Sequence, residues 1–295
     1  MKNIGMVGIG LMGHGIARNL VRRGHRLAVL EHPGNQPLGE LKAAGVSTRT
    51  SARELAADAE VVILCVTGSP QVEAVLEGPD GILQGLRPGT VVVDCSTAIP
   101  SSTARMAKAV LAAGGRFLDA PMTRTPKEAA EGRLNLLVGG DPTLFEECRP
   151  LLACFAENIT LVGPVGAGHR MKLLHNYVSL GFVALLSEAA ACARRSGIAA
   201  DVFVDVLAKG GGGGIALERL RPYLASGDPS ALRFAMSNAR KDLDYYQAMA
   251  ADIGAADGIA QAVLQTFAWG LEAGGPQSVV LDLVPLLEHK AREAS

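Results

Sequence analysis

Short runs of β-branched and aliphatic residues alternate with amphipathic stretches through the first half of the chain. The clearest apolar runs lie at 4–7, 27–30, 61–64, 91–93 and 116–118, with two more at 135–138 and 158–161. Between them, residues 11–23, 70–76 and 101–113 carry apolar side chains at helical spacing. Unbroken apolar strands separated by helices predict a parallel sheet covered on both faces, a Rossmann-type α/β domain. After the breaker cluster Gly163-Pro164-Val165-Gly166-Ala167-Gly168 the pattern is helical almost to the end. Residues 169–196 contain no proline and one glycine, Gly181, and predict one helix roughly 40 Å long at about 1.5 Å per residue. Its apolar positions nearly encircle it at 178–186, which predicts burial on most sides, a dimer interface included. Further helices are expected at 201–208, 215–225, 231–253, 257–272 and 279–292. The boundary between the α/β part, 1–163, and the all-helical part, 164–295, falls at Gly163.

Composition changes this picture little. The chain has 295 residues, 48% hydrophobic and 19% charged, with a formal net charge of −1. That length suits two domains, and the balanced charge gives no electrostatic footprint for nucleic acid or an anionic membrane surface. The first residues enter a strand at once without the pattern of a secretory signal, and the apolar stretch at 178–186 is shorter than a membrane span. Five dispersed cysteines without metal or redox spacing point to reduced thiols and a cytoplasmic protein. No metal site is expected.

Chemistry first appears at Gly8-Ile9-Gly10-Leu11-Met12-Gly13, which fits the G-x-G-x-x-G fingerprint. An apolar strand precedes it and an amphipathic helix follows. In that context the glycines serve a tight turn, close backbone approach to a pyrophosphate, and helix-on-strand packing, while the helix N-terminus faces the anion. Residues 1–163 are therefore expected to form a dinucleotide-binding domain. Glu31, at the end of the second strand, is placed to accept hydrogen bonds from the adenosine ribose and to repel a 2′-phosphate, so NAD is the expected cofactor.

The second signal is Lys172, His175, Asn176 and Ser179, which share one helical face at i, i+3, i+4 and i+7 among Met171, Leu173, Leu174, Val178 and Leu180. The stripe lacks the mixed charges of an ordinary solvated face and begins just past the expected domain junction, where a cleft is expected. A lysine in a partly dehydrated cleft has its charged form disfavoured, which suits proton exchange with a carbonyl oxygen as hydride arrives. Asn176, one turn on, holds the same oxygen or fixes the lysine.

With these residues in place, the chain resembles the β-hydroxyacid dehydrogenases, the group of 3-hydroxyisobutyrate dehydrogenase and tartronate semialdehyde reductase. The resemblance runs over nearly the whole chain: the glycine turn, Cys65-Val66-Thr67, Asp94-Cys95-Ser96-Thr97, Asp119-Ala120-Pro121-Met122-Thr123, Gly166/Gly168/Lys172/Asn176, and Lys241-Asp242-Leu243. It implies cofactor contacts at Cys65, Val66, Thr67, Ser96 and Thr97, with Thr97 near the nicotinamide. It also implies Lys172 as the acid/base, Lys241 closing over cofactor and substrate, and a small anionic three- or four-carbon substrate. A homodimer or homotetramer is the expected assembly.

The chain departs from the family's serine-glycine-glycine with Thr123-Arg124-Thr125. Arg124 adds a planar fork of donors suited to an oxyanion. Arg124-Thr125 with Arg170-x-Lys172-Leu173 and Asn176-Tyr177-x-Ser179 resembles the sulfolactaldehyde reductase branch, although that branch has asparagine where His175 stands. Thr123, Arg124, Thr125, His175 and Ser179 are the expected substrate contacts. Two other readings stay open from the residues: an imine reductase, and a non-catalytic dinucleotide-binding module on the same frame. The Gly210–Gly214 run has no strand before it and is expected to be a linker or a mobile loop.

Overall fold

The computed structural model describes residues 1–293. Two compact units emerge, Met1–Lys172 and a second beginning at Leu173. The first unit alternates strands and helices in chain order: β1 (Asn3–Val7), α1 (Leu11–Arg22), β2 (Arg26–Leu30), α2 (Gly39–Ala43), β3 (Ser47–Arg49), α3 (Ala52–Ala57) and β4 (Val61–Leu64). It continues with α4 (Ser69–Glu77), α5 (Ile82–Gly85), β5 (Val91–Asp94), α6 (Pro100–Ala112), β6 (Arg116–Asp119) and β7 (Met122–Thr123). Last come α7 (Pro126–Glu131), β8 (Leu134–Gly139), α8 (Pro142–Leu152), β9 (Ala156–Gly163) and the start of α9 (Ala167–Arg195).

The strands form one sheet in the order β3-β2-β1-β4-β5-β6-β8-β7, with β9 on β8. From β3 to β6 every pairing is parallel. Because β1 lies between β2 and β4, successive crossovers leave it in opposite directions, and a crevice opens beyond its carboxyl end, where α/β sheets take ligands. Both faces are dry: one core holds Met6, Ile16, Leu20 and Phe155, the other Val62, Leu76, Val92 and Met106. That explains why β4 and β5 read as unbroken apolar runs.

Three local differences from the sequence pattern have physical causes. The strand expected at 135–138 pairs with β6 and β7 antiparallel, so the sheet is not parallel throughout. The helix expected at 231–253 begins only at Met236, because Ala235 is extended and bridges Val279. The short elements β3, β7, α2, α3, α5 and α7 carried too few residues to show a period, and the eleven-residue α8 was hidden by Pro142 and Pro150.

The second unit is helical, with the rest of α9, then α10 (Ala200–Ala208), α11 (Ile215–Ser226), α12 (Met236–Asp252), α13 (Gly258–Gly274) and α14 (Leu283–Glu293) around Leu217, Leu243 and Phe267. The glycine run 210–214 joins α10 to α11. Tyr177 of α9 stacks on Tyr246 of α12 at 4.2 Å between ring centres. Within one chain α9 buries Leu173, Leu180 and Leu186, while Val178, Phe182 and Leu185 are more than half exposed. By length and composition this helix could cross a membrane, a test that the core helix of a soluble protein also passes.

The first unit extends beyond Gly163 to Lys172 because the start of α9 is bolted to the sheet. The fully buried Asp119, last residue of β6, accepts Gly166 N–H at 2.7 Å on Oδ1 and His169 N–H at 2.9 Å on Oδ2. These are helix N-terminal amides that would otherwise lack acceptors. Burial raises the Asp119 pKa above its ordinary value of 3.8, although His169 and the two amides oppose the shift. A carboxyl whose folded pKa lies above the unfolded one makes the folded state bind more protons, so its contribution to stability falls as pH rises between the two values. Asp119→Asn should therefore flatten the wild-type loss of stability as pH rises from about 4, in urea unfolding at a series of pH values.

Candidate active site

The dinucleotide turn is built as the glycine pattern requires. Gly8 has φ +91°, and a Cβ there would lie 2.2 Å from the Cys65 carbonyl oxygen. A Cβ on Gly13 would lie 2.0 Å from the Gly8 carbonyl oxygen. Gly10 differs, since a Cβ would meet nothing within 4 Å. The space in front of Gly10 is open, and it faces the N-terminus of α1, which has no side-chain cap and no acidic residue in its first turn. Leu11 is exposed and Met12 half-buried beside it. This cradle fits the pyrophosphate of a dinucleotide.

The loop after β2 is tied to that turn. Ile9 N–H donates to Asn35 Oδ1 at 3.2 Å, and Gln36 N–H donates to the Ile9 carbonyl at 2.7 Å. An open hollow of about 400 Å³ lies here, lined by Glu31, His32, Pro33, Asn35, Gln36 and Leu38. A hydrogen bond from Thr48 and the Lys42 ammonium 3.4 Å away hold the Glu31 carboxyl below its ordinary pKa. Glu31 thus presents a charge to this hollow, beside the glycine turn.

Beyond the ends of β4 and β5, the Ser96 hydroxyl accepts Val66 N–H at 3.1 Å, and Ser96 N–H donates to Asp94 Oδ1 at 2.9 Å. Thr97, the next residue, is half-exposed. Cys65 is no nucleophile, because burial, with Asp94 adding to it, pushes its thiol up to about 12. All five cysteines are free.

The loop 123–125 is largely occupied by its own structure. Thr123 Oγ1 accepts from Asn135 at 3.1 Å, and Thr125 starts α7, its amide and hydroxyl both donating to Glu128. Arg124 has φ +80°, a conformation that favours the glycine it replaces. Its guanidinium pairs with Glu157 and donates to the Arg133 carbonyl, so in this structure the fork is engaged by the protein.

Along α9, Lys172 and Ser179 are half-buried and Asn176 is buried. Within the second unit, Asn176 Nδ2 donates to Asp242 Oδ2 at 2.6 Å, while His175 Nδ1 lies 3.0 Å from Asn176 Oδ1. An amide oxygen only accepts, so this contact places the imidazole hydrogen on Nδ1. The Lys241 ammonium is 2.9 Å from Asp242 Oδ1 and 5.2 Å from the Tyr245 ring centre. Asp242, 4% exposed, therefore orients Asn176 and sets its charge beside Lys241. Its role was missed in the sequence, where the only signal was a carboxylate beside Lys241 on a helix that needs a buried face. His169 was missed as well, hidden among the x positions of its motif.

Residues 3–163 match the family model described as the NAD binding domain of 6-phosphogluconate dehydrogenase, and residues 166–287 match that described as NAD-binding of NADP-dependent 3-hydroxyisobutyrate dehydrogenase. The chain belongs to the β-hydroxyacid dehydrogenase family. It is 35% identical over 267 residues to an NAD-dependent L-serine dehydrogenase of Pseudomonas aeruginosa, covering 89% of this chain and 86% of that one. A 3-hydroxyisobutyrate dehydrogenase of Mycobacterium tuberculosis, solved with L-serine, superposes with a TM-score of 0.86 at 26% identity over 99% of each chain. A 3-hydroxyisobutyrate dehydrogenase from Salmonella typhimurium gives 0.84 at 28% identity, covering 97% of this chain and 100% of that one. The protein is an oxidoreductase of this family with a nicotinamide dinucleotide cofactor.

The glycine geometry separates binding from folding. Gly10→Ala should leave thermal stability nearly unchanged while weakening NADH affinity, read by quenching of protein fluorescence. Gly13→Ala should destabilise the fold by about 1–3 kcal/mol, the scale of overpacking, in a urea titration.

Proposed function

We propose that this dehydrogenase interconverts a short β-hydroxy acid and its semialdehyde, with NAD preferred over NADP and Lys172 as the proton-transfer group. The observation that carries the reading is α9 itself. Lys172 stands one turn beyond a helix start fixed by Asp119, and Asn176, one turn further, has its amide oriented by Asp242 at 2.6 Å. The bound nicotinamide supplies or accepts the hydride. In reduction, Lys172 gives a proton to the carbonyl oxygen as that oxygen gains charge; in oxidation it takes the hydroxyl proton back. Asn176 donates to the same oxygen, and a donor fixed before reaction stabilises the developing charge more than the neutral carbonyl.

Gly8, Gly10, Leu11, Met12 and Gly13 are proposed to hold the pyrophosphate, Glu31 the adenosine ribose, and Thr97 the nicotinamide end. Thr123, Thr125, His175 and Ser179 are the proposed contacts for the acid. Arg124 serves an anionic substrate only if it exchanges Glu157 for that anion. A cytoplasmic setting agrees with the five free thiols. A homo-oligomer agrees with the exposed apolar residues Val178, Phe182 and Leu185 on one helix.

Lys172→Ala should abolish turnover while NADH binding stays within about twofold of wild type, since a proton-transfer group adds little to ground-state binding. The measurement is NADH consumption with methylmalonate semialdehyde, tartronate semialdehyde and sulfolactaldehyde, and NAD reduction with L-serine, beside a fluorescence titration. Wild-type turnover in the variant rejects Lys172. Glu31→Ala should narrow the ratio of kcat/KM for NADH over NADPH, and an unaltered ratio assigns the preference to another residue.

A further inference from the structure

A buried histidine outside the proposed chemistry sits where α9 meets the sheet. The His169 side chain has no solvent exposure. Its Nε2 lies 3.1 Å from the Ser96 carbonyl oxygen, and because a carbonyl only accepts, Nε2 carries hydrogen. Its Nδ1 lies 2.7 Å from Thr103 Oγ1, a shorter contact than the 3.2 Å from that hydroxyl to the Ile99 carbonyl. An imidazole accepting at Nδ1 and donating at Nε2 satisfies both partners. The carboxylates on either side are Asp119, with Oδ2 3.9 Å from Nδ1, and Asp94, with Oδ2 4.0 Å from Nε2. Asp94 Oδ2 is buried without a hydrogen-bond partner among the described residues, while its other oxygen holds Ser96 N–H.

Three segments therefore meet on one ring: the turn after β5 at Ser96, α6 at Thr103, and the first turn of α9. The residue after Ser96 is Thr97, and three positions after His169 comes Lys172. The α9 backbone comes close to the sheet here, since a Cβ on Gly168 would lie 2.3 Å from the Leu137 carbonyl oxygen and 2.7 Å from Asp119 Oδ2. Asp119 fixes the height of the helix start on the sheet through two amides, but two bonds at one carboxylate leave rotation about it open. A slip of one residue in α9 would turn a side chain by about 100° and advance it by about 1.5 Å. The imidazole closes that freedom with bonds to two further elements.

We propose that His169 is a positioning residue for Lys172, fixing the rotation of the first turn of α9 against the Ser96–Thr97 turn through its paired bonds to the Ser96 carbonyl and the Thr103 hydroxyl. The proposal rests on Lys172 being the proton-transfer group. An apolar side chain would fill the space and keep the fold, yet would leave the Thr103 hydroxyl and the Ser96 carbonyl without this partner. Glutamine can supply one donor and one acceptor in their place.

The test compares His169→Leu, His169→Gln, Thr103→Val and Lys172→Ala as full-length enzymes, with kcat expressed per folded molecule and the substrate being whichever of the four above the wild type turns over fastest. His169→Leu and Thr103→Val should each lower kcat about 10- to 100-fold with the KM for the cofactor little changed, and His169→Gln should stay within about threefold of wild type. The His169→Leu and Thr103→Val losses should not add in the double variant, because both remove the same bond. A purely structural role predicts a lower Tm with wild-type kcat per folded molecule, and that result overturns the proposal. So does a His169→Gln enzyme as slow as His169→Leu. If His169→Leu does not fold, Thr103→Val alone decides, since it changes one buried hydroxyl to a methyl. Turnover by Lys172→Ala would mark failure of the Lys172 assignment, whereas a dead Lys172→Ala beside unaffected His169 and Thr103 variants would mark failure of this one.

Discussion

The Asp119 carboxylate, sealed from water at the end of β6, accepts two main-chain amides from the start of α9. A helix begins with amides that have no partner in the helix, and a buried carboxylate cannot keep its charge without donors. Each deficit is met by the other. The result fixes the first turn of α9 to the carboxyl end of β6 at one defined height. Gly139 and Gly168 are part of the same constraint, since a Cβ on either would lie within 2.8 Å of an Asp119 oxygen.

A second buried aspartate does similar work on α12. Asp242 takes a hydrogen bond from Asn176 and pairs with Lys241, so two polar side chains are held by one charge. In both places the cost of burying a carboxylate is offset by donors whose direction the protein needs to control. Rigid placement matters for the proposed chemistry because a proton donor and an amide aimed at a developing oxyanion lose their advantage when displaced.

Much of the fold was legible along the chain because its signals are periodic. The strands at 4–7, 61–64 and 91–93 and the helix at 11–23 each carry enough apolar positions to show their spacing. The same holds for α9, apart from its exposed flank. The start of α12 was not legible, because the bridge between Ala235 and Val279 joins residues far apart in sequence. For the candidate site, the glycine turn was readable since each glycine has a local task. Arg124 was not: its type pointed to an anion, but its partner Glu157 lies on β9, more than thirty residues on.

The sequence by itself determined the alternation of strand and helix, the place of the dinucleotide turn, and the shared face of Lys172, His175, Asn176 and Ser179, because each depends on spacing within one segment. Tertiary structure alone decided which carboxylates hold the amides of α9, which side chain orients Asn176, and what the His169 ring bridges. Those pairings join residues tens of positions apart, and hydrogen bonding at that separation is set by how strands and helices pack rather than by any local period.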